Sequence, residues 1–262
     1  MLIKDVLKEE NGSYILEKLL KKDKAWLFLN DTLKVPKEYF KIQEKVKSGY
    51  PIEYIFEEVW FYGDIFYITE GVLIPRDDTE IVVEKAIELI KSLEEMGQNR
   101  KCKSNYNFPL KVIDCCTGSG VIAIEIAKHT NAKVIATDLS DAALEVAKKN
   151  AKLHNMEIEF KKCDLFNENV DVLVANPPYV ETSWQKPNDF EPDLAFFGGD
   201  DGLDIVKRII KKAINLKIKN VIIEIGYNQK ETLSLFLNNF DCKYQFFKDL
   251  GGRIRGVEIL FG

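Results

Sequence analysis

The sequence is poor in metal-binding side chains. Its 262 residues hold only two histidines, His129 and His154, and the five cysteines (Cys102, Cys115, Cys116, Cys163, Cys242) form no C-x-x-C pair. Zinc sites draw on closely spaced Cys and His ligands, so a metal centre is not expected. Both histidines fall on expected helices and read as structural or exposed. Cys115 and Cys116 are adjacent at a strand end, where successive side chains point to opposite faces, so both read as packing thiols. No apolar run is long enough to span a bilayer, and residues 1–10 read as an amphipathic helix without a signal-peptide core. A cytoplasmic protein without membrane contact is expected. A basic excess is missing too: 37 Lys and Arg stand against 42 Asp and Glu, for a net charge of −5. That argues against direct binding to long nucleic acid through its phosphates. The lysine clusters at 18–24 and 207–219 read as solvated helix faces. No internal repeat or low-complexity tract is present.

What is present is ordered alternation. Residues 1–50 carry apolar pairs at helical spacing, Ile15-Leu16, Leu19-Leu20 and Trp26-Leu27, with breaks at Asn11-Gly12-Ser13 and Asn30-Asp31. They read as a small helical module. Residues 51–73 alternate bulky apolar and polar side chains around turns at Tyr62-Gly63-Asp64 and Glu70-Gly71, and read as a β-hairpin linker. Residues 74–262 form the third segment. Ile74-Pro75-Arg76 leads into a helix whose Asp77 and Glu80 have capping-box spacing, and the polar stretch 94–107 reads as a loop. Strands are then expected at 110–115, 133–137, 158–161, 170–175 and 220–225. Helices are expected at 121–128, 142–154, 203–216 and 230–239, with a terminal antiparallel pair at 244–247 and 256–261. Such alternation predicts an α/β fold, a mostly parallel sheet with helices on both faces.

Two motifs carry chemistry. The first is Asp114-Cys115-Cys116-Thr117-Gly118-Ser119-Gly120 between the first of these strands and its helix. Gly118 and Gly120 allow tight turns and close approach of a ligand. Asp138 ends the next strand about 20 residues on, where a carboxylate can accept both ribose hydroxyls. Asp164 is placed to accept an adenine amine, and Leu165 or Phe166 to pack on the ring. A nicotinamide dehydrogenase would share this spacing, with Ala123 at the third position of its glycine motif.

The second motif is Asn176-Pro177-Pro178-Tyr179, directly after the apolar run 170–175. Two prolines end the strand and fix the directions of nearby carbonyls. Asn176 offers a side-chain oxygen, the prolines offer carbonyls, and Tyr179 offers a flat face. The tetrapeptide is either a plain strand-ending turn or an acceptor array for an NH₂ group. An amide nitrogen is a poor nucleophile because its lone pair is delocalised. Acceptors on its two N–H bonds can aim that lone pair at an electrophile, which is catalysis by position and electrostatics. A dehydrogenase has no use for such a clamp.

Together these segments resemble the release-factor glutamine N5-methyltransferase family, within the class I S-adenosylmethionine-dependent methyltransferases. Besides the glycine loop and Asn176-Pro177-Pro178-Tyr179, the similarity includes Val72-Leu73-Ile74-Pro75-Arg76-Asp77-Asp78-Thr79-Glu80. It continues through Phe190-Glu191-Pro192-Asp193-Leu194-Ala195, Glu224-Ile225-Gly226 with Gln229, and Lys248-Asp249-Leu250-Gly251-Gly252-Arg253 with Arg255. The resemblance implies a Rossmann-like domain with a seven-stranded sheet. It implies S-adenosylmethionine as methyl donor, S-adenosylhomocysteine as product and no metal. Cys116, Thr117, Gly118, Ser119, Gly120, Asp138, Leu165 and Asn176 would line the cofactor site. Asn176, Pro177, Pro178 and Tyr179 would grip and activate the acceptor amide. The acceptor would be the glutamine of a Gly-Gly-Gln loop in class 1 peptide-chain release factors, held in part by the helical module. Clamp chemistry alone equally admits a ribosomal-protein glutamine or adenine N6. The chain departs from the family at Asp114-Cys115-Cys116, where Asp-Leu-Gly is usual, and at Asp77, where proline is usual. Arg76, Glu191, Arg253 and Arg255 receive no firm role from sequence.

Overall fold

The computed structural model describes residues 1–98, 107–186 and 188–262, so Cys102 and most of the expected 94–107 loop lie outside the described residues. The chain divides into two compact units, Met1–Glu57 and Glu58–Gly262. The first holds helices α1 (Ile3–Val6), α2 (Gly12–Leu20), α3 (Lys24–Leu29), α4 (Lys37–Lys47) and α5 (Ile52–Phe56). Its core gathers Ile3, Val6, Ile15, Leu16, Leu27 and Tyr39. Asn11, at φ 59°, makes the break before α2. Asp23 caps α3 by accepting from the Trp26 N–H at 2.7 Å. The sequence pattern read residues 52–56 as the start of the hairpin, but they form α5. Five residues are too few for periodicity to separate strand from helix, and Pro51 ahead of them holds a φ of −59° that suits a helix start.

The second unit opens with a hairpin of β1 (Glu58–Phe61) and β2 (Asp64–Tyr67), paired antiparallel. Tyr62 and Gly63 turn it at φ 52° and 85°, the left-handed pair that matches strand twist in a two-residue turn. A 3₁₀ turn, Asp77–Thr79, then leads into α6 (Glu80–Gln98). The expected capping box is not made, because Glu80 Oε1 instead accepts from the Tyr62 N–H at 2.7 Å. Nor does a loop begin at residue 94: the helix runs on, and Glu94 Oε1 accepts from the Asn131 N–H at 3.0 Å. Partners so far along the chain leave no local signal.

The remaining elements are β3 (Lys111–Cys115), α7 (Val121–His129), β4 (Lys133–Asp138), α8 (Asp141–Leu153), β5 (Glu159–Lys162) and β6 (Val172–Ala175). They continue with α9 (Asp204–Asn215), β7 (Asn220–Glu224), α10 (Lys230–Leu237), β8 (Cys242–Lys248) and β9 (Ile254–Phe261). The seven strands lie in the order β5-β4-β3-β6-β7-β9-β8. The first five are parallel, and β9 inserts antiparallel between β7 and β8. Alternate residues of the central strands, Ile113, Cys115, Leu173, Ala175, Val221 and Ile223, pack with α9 and α10. Helices α6, α7 and α8 cover the other face. Burial on both sides explains why β6 is apolar throughout and why β7 carries Val221, Ile222 and Ile223 without alternation.

Register positions the site. Cys115 pairs with both Thr137 and Ala175, so three strands end in one row. The residues that follow, Cys116, Asp138 and Asn176, therefore emerge together at the C-terminal ends, where the strand order reverses direction. Open α/β sheets bind ligands at that crevice.

Candidate active site

A cavity of about 230 Å³ opens at this crevice. Of the expected cofactor residues, Cys116, Gly118, Asp138, Leu165 and Asn176 line it. Thr117, Ser119 and Gly120 do not, and instead build the loop. Thr117 donates its hydroxyl to Asp114 Oδ2 at 2.5 Å and its N–H to the Thr137 carbonyl at 2.9 Å. The Ser119 carbonyl accepts from Asn150 Nδ2 at 2.8 Å. Gly120, at φ 84°, starts α7, and a Cβ there would lie 2.9 Å from the Ala147 methyl. Gly118, at φ 54°, has open space where a Cβ would stand. A larger open groove of about 670 Å³, by Lys111, Lys133 and Phe160, lies at the opposite strand ends and holds none of the expected residues.

Asp138 is fixed by its own backbone neighbourhood. Oδ2 accepts from the Gly118 N–H and Oδ1 from the Ser140 N–H, each at 2.9 Å. Burial raises its pKa while these N–H groups oppose the rise. Each oxygen keeps a second lone pair for a hydroxyl. Behind the loop, Asp114 is fully buried and pushed up to about 7 by desolvation, with Thr117 and the Ala123 N–H opposing.

Three ring and thiol expectations change. Phe166 is wholly buried in the core and does not reach the cavity, whereas Leu165, at φ 67°, does. Asp164 lines the cavity but is paired with Arg208 at 2.6 Å. The two adjacent thiols do not point apart: their Sγ atoms are 3.9 Å from each other. The extended geometry behind that expectation ends at Cys115, because Cys116 turns to φ 63°. Cys115 packs in the core as expected, while Cys116 borders the cavity.

The clamp is split between two hollows. Asn176 and Pro178 line the cavity of about 230 Å³, and Pro177 is buried. Tyr179 lines a neighbouring cavity of about 200 Å³ with Trp184, Tyr227 and Arg255. Asn176 Nδ2 donates to Thr79 Oγ1 at 3.1 Å, which leaves its carbonyl oxygen as the atom free to accept. The Tyr179 phenol donates to Glu224 Oε1 at 2.9 Å, and burial and that carboxylate hold its pKa well above the usual tyrosine range. Glu224 is itself pushed up to about 7 by desolvation.

The residues left open by sequence acquire partners. Glu191, with a fully buried side chain, accepts from Arg76 at 2.6 Å, from the Ile74 N–H at 3.0 Å and from Asn188 Nδ2 at 3.0 Å. It thus ties the segment after Val180 to residues 74–76, beside the cavity-lining Leu73 and Pro192. Arg255 pairs with Asp78 at 2.7 Å and Asp249 at 3.0 Å. Arg253 stands over the Tyr227 ring at 5.7 Å. Sequence reading missed Asn150, whose role rests on backbone partners distant in the chain. It noted Thr79 and Glu224 only as parts of similar motifs. Among the described residues, no group of three or more His, Cys, Asp or Glu is placed to hold a metal ion, and no helix is long and apolar enough to cross a membrane.

A seven-stranded sheet with its last strand inserted antiparallel, and a glycine loop and acidic strand end at its switch point, is the fold of a class I methyltransferase. Solved structures agree on that fold. A ribosomal protein L11 methylase from Lactobacillus delbrueckii subsp. bulgaricus superposes with a TM-score of 0.50 at 22% identity, over 71% of this chain and 81% of that one. The human METTL16 catalytic domain, solved with an RNA hairpin, gives 0.55 at 18% identity over 75% and 74%. The family model for ribosomal protein L11 methyltransferase (PrmA) matches residues 89–177. Similarity to release factor glutamine methyltransferases extends much further. The Clostridium botulinum protein of that name is 34% identical over 98% of this chain and 99% of its own. The Flavobacterium psychrophilum one is 36% identical over 83% and 78%. The chain belongs to the release factor glutamine methyltransferase family.

Proposed function

We propose that the protein methylates the side-chain amide nitrogen of the glutamine in the Gly-Gly-Gln loop of class 1 peptide-chain release factors. The observation that carries this reading is Asn176. It stands on the cofactor cavity with its Nδ2 committed to Thr79, so its oxygen is the group left to take an amide N–H. S-adenosylmethionine would supply an electrophilic methyl group on sulfur and leave as S-adenosylhomocysteine. The residues present fit it: Gly118 leaves open space above the loop, and Asp138 holds acceptor capacity for ribose hydroxyls. Leu165 offers an apolar wall.

The Asn176 side-chain oxygen and the Pro177 carbonyl would accept the two amide N–H bonds. That draws the nitrogen toward tetrahedral geometry and aims its lone pair at the methyl carbon. The Tyr179 face would flank the amide plane. A C–N bond would form as the donor's C–S bond breaks, and the methylated nitrogen, then strongly acidic, would lose a proton to water. No general base is needed before attack. The helical unit Met1–Glu57 would help hold the release factor, in the cytoplasm and without nucleic acid. The L11 methyltransferase model spans only 89–177, mostly the cofactor half, and does not decide the acceptor.

The test is methyl transfer from labelled S-adenosylmethionine to intact release factor, to its loop Gln→Ala variant, to ribosomal proteins and to duplex DNA. Label on the intact factor alone supports the reading. Label on ribosomal protein or DNA instead keeps the clamp chemistry and overturns the acceptor.

A further inference from the structure

Behind the clamp lie two buried polar side chains that the reaction as written does not use. Thr79 ends the 3₁₀ turn before α6 and is 2% exposed. Its Oγ1 accepts from Asn176 Nδ2 at 3.1 Å, so its own proton remains available to donate. Glu224 ends β7 and is wholly buried. Oε1 accepts from the Tyr179 phenol at 2.9 Å, while Oε2 has no partner of ordinary hydrogen-bond geometry among the described residues. Thr79 and Glu224 thus hold the two ends of Asn176-Pro177-Pro178-Tyr179.

A purely structural role explains this poorly. The nearby guanidinium of Arg255 has its short contacts with Asp78 and Asp249, not with Glu224. A buried carboxylate with an unmatched oxygen is a worse core element than an apolar side chain of similar volume. What Glu224 does touch is the clamp tyrosine.

We propose that Glu224 and Thr79 are positioning residues for methyl transfer. Glu224 fixes Tyr179 by accepting from its phenol, and Thr79, by accepting from Nδ2, holds the Asn176 amide with its oxygen toward the acceptor nitrogen. The inference rests on Asn176 accepting from an acceptor N–H. Without Thr79 the Asn176 amide is free to rotate, and its NH₂ end can face the acceptor as a repelling donor.

The experiment compares Thr79→Val, which keeps the shape and loses the hydroxyl, with Thr79→Ser and Glu224→Gln. Steady-state methylation of release factor is measured at saturating S-adenosylmethionine. Side-chain amide signals of Asn176 are followed by ¹⁵N NMR without substrate. Thr79→Val is expected to lower kcat by about 30- to 100-fold, the scale of a small misplacement of a reacting group, with KM for release factor changed less than about threefold. Its Asn176 amide signals should move. Thr79→Ser should restore kcat to within about threefold of wild type, and Glu224→Gln should lower kcat without a matching rise in KM. Retained kcat in Thr79→Val, or unmoved Asn176 signals, overturns the proposal, as does a loss that Thr79→Ser does not rescue. A wild-type protein that leaves release factor unlabelled overturns the acceptor reading instead, and the NMR result then still decides this inference.

Discussion

Replacing Asn150 by alanine should loosen the catalytic unit at a point far from any reacting atom. Asn150 is wholly buried in α8. Its Nδ2 donates to the Tyr67 carbonyl at 2.9 Å and to the Ser119 carbonyl at 2.8 Å, and its Oδ1 accepts from the Tyr67 N–H at 2.7 Å. One side chain thus pins strand β2 and the glycine loop to the same helix. Alanine leaves three backbone groups without their partner. The Ser119 carbonyl is in a buried bond and should lose about 1–3 kcal/mol, while the two Tyr67 groups, partly reachable by water, should lose about 1 kcal/mol each. The sum is about 3–5 kcal/mol, which for a unit of this size corresponds to a fall in Tm of roughly 6–20 °C. Thermal unfolding followed by circular dichroism would measure it, with and without S-adenosylhomocysteine. The loop should also bind that product more weakly, because the Ser119 carbonyl no longer anchors it. A Tm within about 2 °C of wild type would show that water replaces all three bonds and would refute the accounting.

Asn176→Ala should lower kcat for methyl transfer by about 10²–10³-fold, or about 3–4 kcal/mol, by analogy with a lost oxyanion-hole donor; turnover near the wild-type rate would sink the clamp. Arg76→Ala leaves the buried Glu191 carboxylate with only neutral donors and should destabilise by about 1–3 kcal/mol, discounted because Arg76 is part-exposed. Urea denaturation would read this loss, and an unchanged midpoint would mean that the pair is not stabilising. Burial pushes the Glu125 carboxyl up to about 7 although Lys128 opposes. A raised folded-state pKa stabilises through the protonated form, fully below the unfolded value of 4.5, and that contribution is lost as pH rises through about 7. Glu125→Gln should therefore flatten the fall in unfolding free energy across that window, and an identical pH slope in the variant would contradict the sign.

Much of the catalytic unit was legible because its signals are local. The strands expected at 110–115, 133–137 and 220–225 fall within a residue of where the structure has them, since burial on both faces writes short apolar runs, Val112-Ile113, Val134-Ile135-Ala136 and Val221-Ile222-Ile223. Cys116, Asp138 and Asn176 meet because each directly follows or ends a strand of one parallel register, and parallel α/β topology brings such positions together. What stayed illegible depends on partners far along the chain. Glu80 looks like a capping residue until Tyr62 is seen to claim it. Asn150 looks like one more polar position on an amphipathic helix, and Glu224 like the polar end of a strand. Leu165 and Phe166 were both open as residues to pack on the ring; Leu165 takes a positive φ and lines the cavity while Phe166 packs in the core, and no propensity foretells that from a leucine.

The placement of β9 has a consequence for how the protein is made. All five residues of β7 are buried, and β9 covers the edge that β7 turns away from β6. Residues 254–261 leave the ribosome after every other strand of the sheet. Until they emerge, β7 carries an open row of backbone donors and acceptors along an apolar ribbon, a template for pairing with another nascent chain. A product truncated before Ile254 keeps Gly118-Ser119-Gly120 and Asn176-Pro177-Pro178-Tyr179 in its sequence, yet presents that ribbon permanently.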